Sequence, residues 1–169
     1  LRDGGRYTYK DVEERYILKG ARAHNVPLIN NSEYSPSADS WTYKKLPPSL
    51  GNIFTKKGDF LLFEGVHCGY MESGVLLRRR VIAPRSDIII ISDEIIGNKD
   101  NILSQHFAFA ENISLKRDNN LIIGKGDKCE FVIKSFDENG EVTQDIIKSP
   151  VSRHYNQIEE SEALKINTE

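Results

Sequence analysis

The chain has 169 residues, a formal net charge of −2 and 38% hydrophobic residues. A chain of this length can bury about 70% of its unfolded surface in one core. The nearly balanced charge argues against a nucleic-acid-binding protein, and no apolar run is long enough to span a bilayer. We therefore expect residues 1–169 to form a single domain, with neither nucleic acid nor membrane as a partner.

The predicted elements, in chain order, are one short helix and then a series of strands. Asp11 to Leu18 has helical spacing, with Asp11 as the N-cap and with Val12 and Tyr16 on one face. Short segments rich in β-branched and aromatic residues follow, separated by turn residues. These segments are 60–63, 75–77, 81–83, 88–91, 106–109, 121–123, 131–133 and 142–147. Their spacing predicts an all-β fold, an antiparallel β-sandwich.

The same strands give a predicted core. The unbroken run Ile88-Ile89-Ile90-Ile91 indicates a central strand covered on both sides. We expect the following side chains to be largely buried: Phe63, Leu77, Ile89, Ile91, Phe107, Phe109, Ile123 and Phe131. Two cysteines are too few for a disulfide framework, so Cys68 and Cys129 are either free core residues or one bridge.

Residues 30–54 differ from the rest in composition. This stretch holds several serines, three prolines and the chain's one tryptophan, Trp41, so it cannot continue a strand ladder throughout. It is interpreted as an excursion over the sandwich. Trp41 is a candidate substrate-binding residue, because an aromatic face packs well against the C–H surface of a sugar ring. The alternative is that Trp41 pins the loop to the core.

Asp3 and His24 are candidate metal ligands. His24 stands at the head of the apolar segment Val26-Pro27-Leu28-Ile29, and an imidazole and a carboxylate can supply two ligands of a divalent metal ion. The alternatives are an ordinary loop carboxylate at Asp3 and, at His24, a strand-capping histidine that donates to a backbone carbonyl.

The surroundings of these two residues resemble the β-sheet domain of the heparinase II/III-like polysaccharide lyases. That family typically reads Asp-Pro-Gly-x-Tyr, then Ala-His-Asn-Thr entering a strand. Further matches occur in the family's order. The matching segments are Asp3-Gly4-Gly5-Arg6-Tyr7-Thr8-Tyr9, Arg22-Ala23-His24-Asn25, His67-Cys68-Gly69-Tyr70, Arg78-Arg79-Arg80-Val81, Ile90-Ile91-Ser92-Asp93-Glu94 and Ser149-Pro150-Val151-Ser152-Arg153-His154-Tyr155.

The resemblance implies a supersandwich-like β-domain of a larger lyase, with the proton-transferring residues largely on an N-terminal α/α toroid absent from this chain. It assigns no catalytic residue here. It implies that Asp3 and His24 are part of a structural zinc site whose remaining protein ligand would lie upstream. An acidic polysaccharide substrate and a periplasmic or extracellular location of the parent protein are further expectations from the resemblance.

Arg78 and Arg80 are candidate substrate-binding residues, because guanidinium groups match carboxylate and sulfate. Strand alternation places them on one face and Arg79 on the other. A solvated sheet face with an internal ion pair is the alternative. The sequence departs from the family at Val26, where threonine is usual, and at Cys68, where aspartate is usual. These departures leave the fold prediction intact and put the substrate inference in doubt.

We therefore interpret the chain as the C-terminal β-sandwich domain of a heparinase II/III-like polysaccharide lyase, excised from a larger protein and inactive alone. The alternative is a non-catalytic carbohydrate-binding or structural sandwich with no lyase parent.

Overall fold

The structure is a computed structural model that describes residues 1–97, 100–138, 140 and 142–168. Strand residues make up 52% of the described residues and helical residues 8%, and the described strands form three antiparallel sheets. The prediction of an all-β antiparallel sandwich is therefore confirmed. In the described ranges, no helix has the length and apolar character needed to cross a membrane.

The elements of the described residues follow one another in a simple order. A single α-helix precedes the strands, and short 3-10 turns at Ala21–Ala23 and Met71–Ser73 interrupt the connections. The bounds are α1 Glu13–Lys19, β1 Pro27–Ile29, β2 Ser49–Lys57, β3 Phe60–His67, β4 Val75–Arg85, β5 Ile88–Gly97, β6 Leu103–Ala108, β7 Ser114–Asp118, β8 Leu121–Lys125, β9 Glu130–Lys134, β10 Val142–Val151 and β11 Glu159–Thr168.

The chain divides into two compact units. Unit 1 consists of Leu1–Lys44 and Ile102–Glu169, and unit 2 of Lys45–Asn101. This division into units does not test whether residues 1–169 form one domain, so that expectation stays a prediction.

Unit 1 contains two of the sheets. One has the strand order β1-β6-β11-β10 and the other the order β7-β8-β9. Phe109 and Phe131 join the two sheets, since their rings stack with centroids 5.4 Å apart. Apolar side chains of both sheets form its core, and those completely or almost completely buried include Leu28, Phe107, Phe109, Ile122, Val151, Ala163 and Leu164.

Unit 2 is the sheet β2-β3-β4-β5, in which β5 is an edge strand. The prediction of a central strand at Ile88-Ile91 is therefore wrong. Ile89 is 70% exposed and Phe63 is 41% exposed, so these two predicted core residues are also wrong. An apolar side chain marks a position that can be buried, whereas burial requires another layer to lie over it.

The other predicted core residues divide into two groups. Leu77, Phe107 and Phe109 are buried, as predicted. Ile91, Ile123 and Phe131 are only partly buried. Cys68 is buried, Cys129 is exposed, and both thiols are free, which decides against the bridge.

The helix begins later than its predicted cap. Helix α1 runs from Glu13 to Lys19 with Val12 at the N-cap and no side-chain cap, so the assignment of Asp11 as N-cap is wrong. The Asp11 carboxylate instead accepts hydrogen bonds from the Tyr16 hydroxyl, 2.7 Å, and from the Ser40 amide, 2.8 Å. A long-range partner in the following loop thus replaces the local cap.

Candidate functional site

The residues around Asp3 are held against the sheet of unit 1. The Arg2 amide donates to the carbonyl of Ala108, and the Ser152 amide donates to the carbonyl of Gly4. The Arg2 guanidinium is buried and donates to the carbonyls of Phe109 and Ser149. These contacts fix the backbone on either side of Asp3 to residues more than a hundred positions later in the chain.

Gly5 explains the glycine in the first motif. Its φ is +79°, a left-handed conformation that side chains with a Cβ rarely adopt. A Cβ on Gly5 would lie 2.1 Å from the Ser152 carbonyl oxygen. The segment can approach residue 152 this closely only because position 5 carries no side chain.

Asn25 explains the asparagine in the second motif. Its side-chain amide donates to the carbonyl of Arg2, 2.7 Å, and its side-chain oxygen accepts from the amide of Ala108, 2.7 Å. The Asn25 side chain therefore bridges the first residues of the chain to the end of β6. It also places the preceding residue, His24, beside Asp3.

Asp3 and His24 are in direct contact. The distance from Oδ2 of Asp3 to Nδ1 of His24 is 2.9 Å, and the Asp3 side chain is largely exposed. Desolvation, the largest influence, raises the pKa of the Asp3 carboxyl, but the Gly5 amide hydrogen bond, the charge and hydrogen bond of His24 and the charge of Arg2 together outweigh it. The pKa of Asp3 consequently lies below its usual value, which favours the carboxylate form.

This contact fits part of a metal site. When Nδ1–H of His24 donates a hydrogen bond to the Asp3 carboxylate, Nε2 of His24 keeps a free lone pair, an arrangement common where histidine binds zinc. Direct ligation by both side chains is the other arrangement, in which Nδ1 loses its proton. Within residues 1–97, 100–138, 140 and 142–168, no three His, Cys, Asp or Glu side chains are grouped to hold an ion. The described chain thus offers two donors and not a full shell.

A cleft of about 320 Å³ adjoins the Asp3–His24 pair. Arg6, Arg15 and Lys19 contribute three cationic side chains to its lining, against the one carboxylate of Asp3. The cleft wall is therefore positively charged overall, which suits an anionic ligand.

Two of these cations fix the loop after β1. Arg15 donates to the carbonyl of Ser40, and Lys19 donates to the carbonyls of Asp39 and Thr42. Both cations belong to helix α1, so the loop that carries Trp41 is attached to that helix. Trp41 itself is 63% exposed, and its ring does not enter the core.

Arg78 and Arg80 lie in unit 2 on one face of the sheet, and Arg79 lies on the other, as alternation predicts. Arg78 donates to Glu94, and Arg80 donates to Glu64 and Glu94. The hydrogen bond from Arg78 is the main reason that the pKa of Glu94 lies below its usual value. A polysaccharide anion at Arg78 or Arg80 would therefore compete with an internal carboxylate.

Several residues of this region carried no predicted role. Buried arginine and lysine are rare, so composition gave no reason to assign Arg2, Arg15 or Lys19 to the interior. The asparagine after His24 was visible in the motif, yet its partners lie far away in sequence. Arg6 and Tyr9 are the exceptions. They lie next to the Asp-Gly-Gly segment, so their position in the sequence could have marked them as candidate binding residues.

Comparisons with known proteins agree with this architecture. The family described as heparinase II/III-like, C-terminal, matches residues 1–167. No curated protein matches the chain. A solved structure of a heparan sulfate lyase HepC mutant from Pedobacter heparinus superposes with a TM-score of 0.78 at 15% identity, covering 99% of this chain and 26% of that chain.

Two further structures give the same result. A heparinase III, the BT4657 gene product, has a TM-score of 0.79 at 15% identity, covering 100% of this chain and 25% of that one. Another heparinase III structure has a TM-score of 0.75 at 18% identity, covering 99% and 25%. The chain thus spans about a quarter of the length of these structures, and at such identities the likeness shows the fold. Because the family match extends over nearly the whole sequence, this chain belongs to the heparinase II/III-like C-terminal domain family.

Proposed function

We propose that this chain is the C-terminal β-sandwich domain of a polysaccharide lyase that acts by β-elimination on uronic-acid-containing polysaccharides. The observation that carries the proposal is the family membership over residues 1–167, together with the cationic cleft beside Asp3 and His24. The coverage of about a quarter of each similar structure supports a larger parent protein. A periplasmic or extracellular parent is part of the proposal.

The reaction explains why the chain alone is proposed to be inactive. In β-elimination the uronate carboxylate is neutralised, a base removes the proton on the neighbouring carbon, and the C–O bond to the leaving sugar breaks as a double bond forms. The expelled oxygen takes up a proton from an acid. We place this base and acid outside the chain, on an N-terminal α/α toroid, and assign to the chain the support and charge of one cleft wall.

The cleft lining supports an anionic substrate. Arg6, Arg15 and Lys19 outnumber the carboxylate of Asp3, and charges of one sign in a concave surface raise the local concentration of opposite charges. Arg78 and Arg80 belong to the proposal as secondary contacts, with the competition from Glu64 and Glu94 reducing their contribution. A neutral polysaccharide would gain no charge–charge attraction from these cations.

We also propose that Asp3 and His24 hold one zinc ion together with a ligand from the rest of the parent protein. The 2.9 Å contact and the carboxylate form of Asp3 support this assignment. A bound zinc ion would supply a structural cross-link and would take no part in proton transfer. His24 contributes a nitrogen and Asp3 either a second ligand or the carboxylate that orients the imidazole.

The activity proposal is tested by ultraviolet absorbance of unsaturated uronate. This chain and the proposed parent protein, called the longer polypeptide, are incubated separately with heparan sulfate, hyaluronan and alginate. We expect product from the longer polypeptide on at least one substrate and none from this chain. Product from this chain that His24→Ala abolishes would place the active centre here, and no product from either protein would favour the non-catalytic sandwich.

The zinc proposal is tested by calorimetric titration with zinc alone. Two protein ligands leave half of a tetrahedral shell to water, so we expect weak binding by this chain and tight binding by the longer polypeptide. Asp3→Asn and His24→Ala should each weaken binding by the longer form. Unchanged affinity in both variants would identify Asp3 and His24 as an ordinary loop carboxylate and strand histidine.

A further inference from the structure

Two aromatic side chains of unit 1 form a parallel stack on the surface. The rings of Tyr9 and Trp41 have centroids 4.9 Å apart and planes only 6° apart. Tyr9 is 49% exposed and Trp41 is 63% exposed. Since stacking on Tyr9 covers one face of the indole, this exposure means that much of Trp41 remains open to solvent. Tyr155 lies next to the pair, 6.1 Å from Tyr9 and tilted by 36°.

The loop that carries Trp41 is held rigidly although the indole is exposed. One oxygen of Asp39 accepts hydrogen bonds from the amides of Trp41, 2.6 Å, and Thr42, 2.7 Å. The Ser40 hydroxyl donates to the carbonyl of Tyr9, 2.9 Å, which links the residue before Trp41 to the backbone of Tyr9. The buried cations Arg15 and Lys19 attach the same loop to α1.

Packing of Trp41 in the hydrophobic core does not explain why this loop is so firmly held. An exposed tryptophan contributes little burial, yet ordering its loop costs conformational entropy and places two cationic side chains in the interior. A ring surface that is ordered before a ligand arrives binds that ligand at a lower entropic cost. The stack therefore has the features of a preorganised binding surface.

Arg6 adds a charge to the stack. Its Cζ lies 4.9 Å from the Tyr9 ring centroid and 5.8 Å from that of Trp41, which is within the range of cation–π attraction. In the described part of the chain, the Arg6 guanidinium is exposed and makes no ion pair with a carboxylate. It also lines the cleft beside Asp3 and His24. Its hydrogen-bond donors are available to an external anion.

We propose that Tyr9, Trp41 and Arg6, here called the aromatic platform, bind one acidic sugar unit of a polysaccharide. The C–H face of the ring would lie against the indole, and the Arg6 guanidinium would donate to the carboxylate or sulfate of that sugar. A cationic ligand is disfavoured because the Arg6 guanidinium would repel it. The platform extends the proposed function, since its ligand class rests on that function.

The test uses the fluorescence of this chain, in which Trp41 is the single tryptophan. Short oligosaccharides of heparan sulfate and of hyaluronan are titrated, with a cellulose oligosaccharide as the neutral control. We expect the acidic oligosaccharides to change Trp41 emission in a saturable way and to bind more weakly at high salt. Arg6→Gln should weaken their binding by about tenfold, the effect of losing one charge-assisted contact, while Arg6→Lys should retain part of it.

Two further variants test the aromatic part. Tyr9→Ala should weaken binding of the acidic oligosaccharides by several-fold, because the indole loses its support. Phe136→Ala is the matched control, since Phe136 is 72% exposed and outside the platform, and Arg117→Gln is the control for charge. Trp41 emission that no acidic oligosaccharide changes would overturn the proposal. So would wild-type affinity in Arg6→Gln, or equal losses in the two control variants.

The outcomes separate the platform from the proposed lyase function. Product formation by the longer polypeptide with an unchanged KM in Arg6→Gln and Tyr9→Ala would leave the lyase proposal standing and refute the platform. Absence of product from the longer polypeptide, together with Arg6-dependent binding to this chain, would refute the lyase proposal and leave the platform standing.

Discussion

Replacement of Gly5 by alanine tests how the first segment is placed beside His24. Gly5 has a φ of +79°, and an added Cβ would lie 2.1 Å from the backbone oxygen of Ser152. The left-handed conformation costs an alanine about 1 kcal/mol. Because a backbone oxygen cannot rotate away, the segment must also shift. The hydrogen bond from the Ser152 amide to the Gly4 carbonyl, 2.8 Å, would then be strained or lost.

The expected loss is larger than the conformational cost alone. One hydrogen bond contributes about 1 kcal/mol, so Gly5→Ala should lower the free energy of unfolding by about 2–3 kcal/mol. Gly140→Ala is the matched control, because Gly140 also has a positive φ, +88°, and lies in unit 1, and no heavy atom of the described residues lies within 4 Å of an added Cβ there. It should lose only the conformational part, about 1 kcal/mol.

The assay is equilibrium urea unfolding followed by the emission of Trp41, which reports on unit 1. The two variants should differ in the urea concentration at the unfolding midpoint. They should not differ in the slope of the unfolding free energy against urea concentration. If Gly5→Ala loses no more stability than Gly140→Ala, the close approach to Ser152 does not constrain the segment, and the explanation of the Asp-Gly-Gly motif is wrong.

Two other predictions concern charge and packing in unit 1. The pKa of Glu111 lies at about 2 instead of 4.5, chiefly because Arg153 donates two hydrogen bonds to the carboxylate. This lowered pKa stabilises the fold above about pH 4.5 and loses its effect as the pH falls towards 2, and solvent screening reduces it to about 1 kcal/mol. The free energy of unfolding in urea should therefore be higher for the wild type than for Glu111→Gln at pH 6 but not near pH 2. A difference that does not change with pH would contradict this prediction. Leu164→Ala should cost about 2–5 kcal/mol, because Leu164 is completely buried, while the exposed Ile102→Ala should cost less than about 0.5; equal losses in thermal or urea unfolding would contradict the assigned core.

The amino-acid sequence by itself was sufficient for the fold class and for the motif that brings Asp3 and His24 together. Strand identity depends on local propensity and turn residues, which are read directly from segments such as Leu121–Lys125 and Glu130–Lys134. The Asp-Gly-Gly and His-Asn segments were recognised by their resemblance to family motifs, and in the structure Gly5 and Asn25 serve backbone requirements that permit few other residues.

Only the tertiary structure decided which apolar strands are covered and which polar side chains are buried. Ile89 and Ile122 look equally suited to a core, yet Ile89 lies on an edge strand of unit 2 and Ile122 is completely buried in unit 1. The stack of Tyr9 on Trp41 joins residues separated by the whole of α1 and β1. Burial and such contacts depend on which segments that are distant in the sequence pack together, and local residue patterns do not specify that packing.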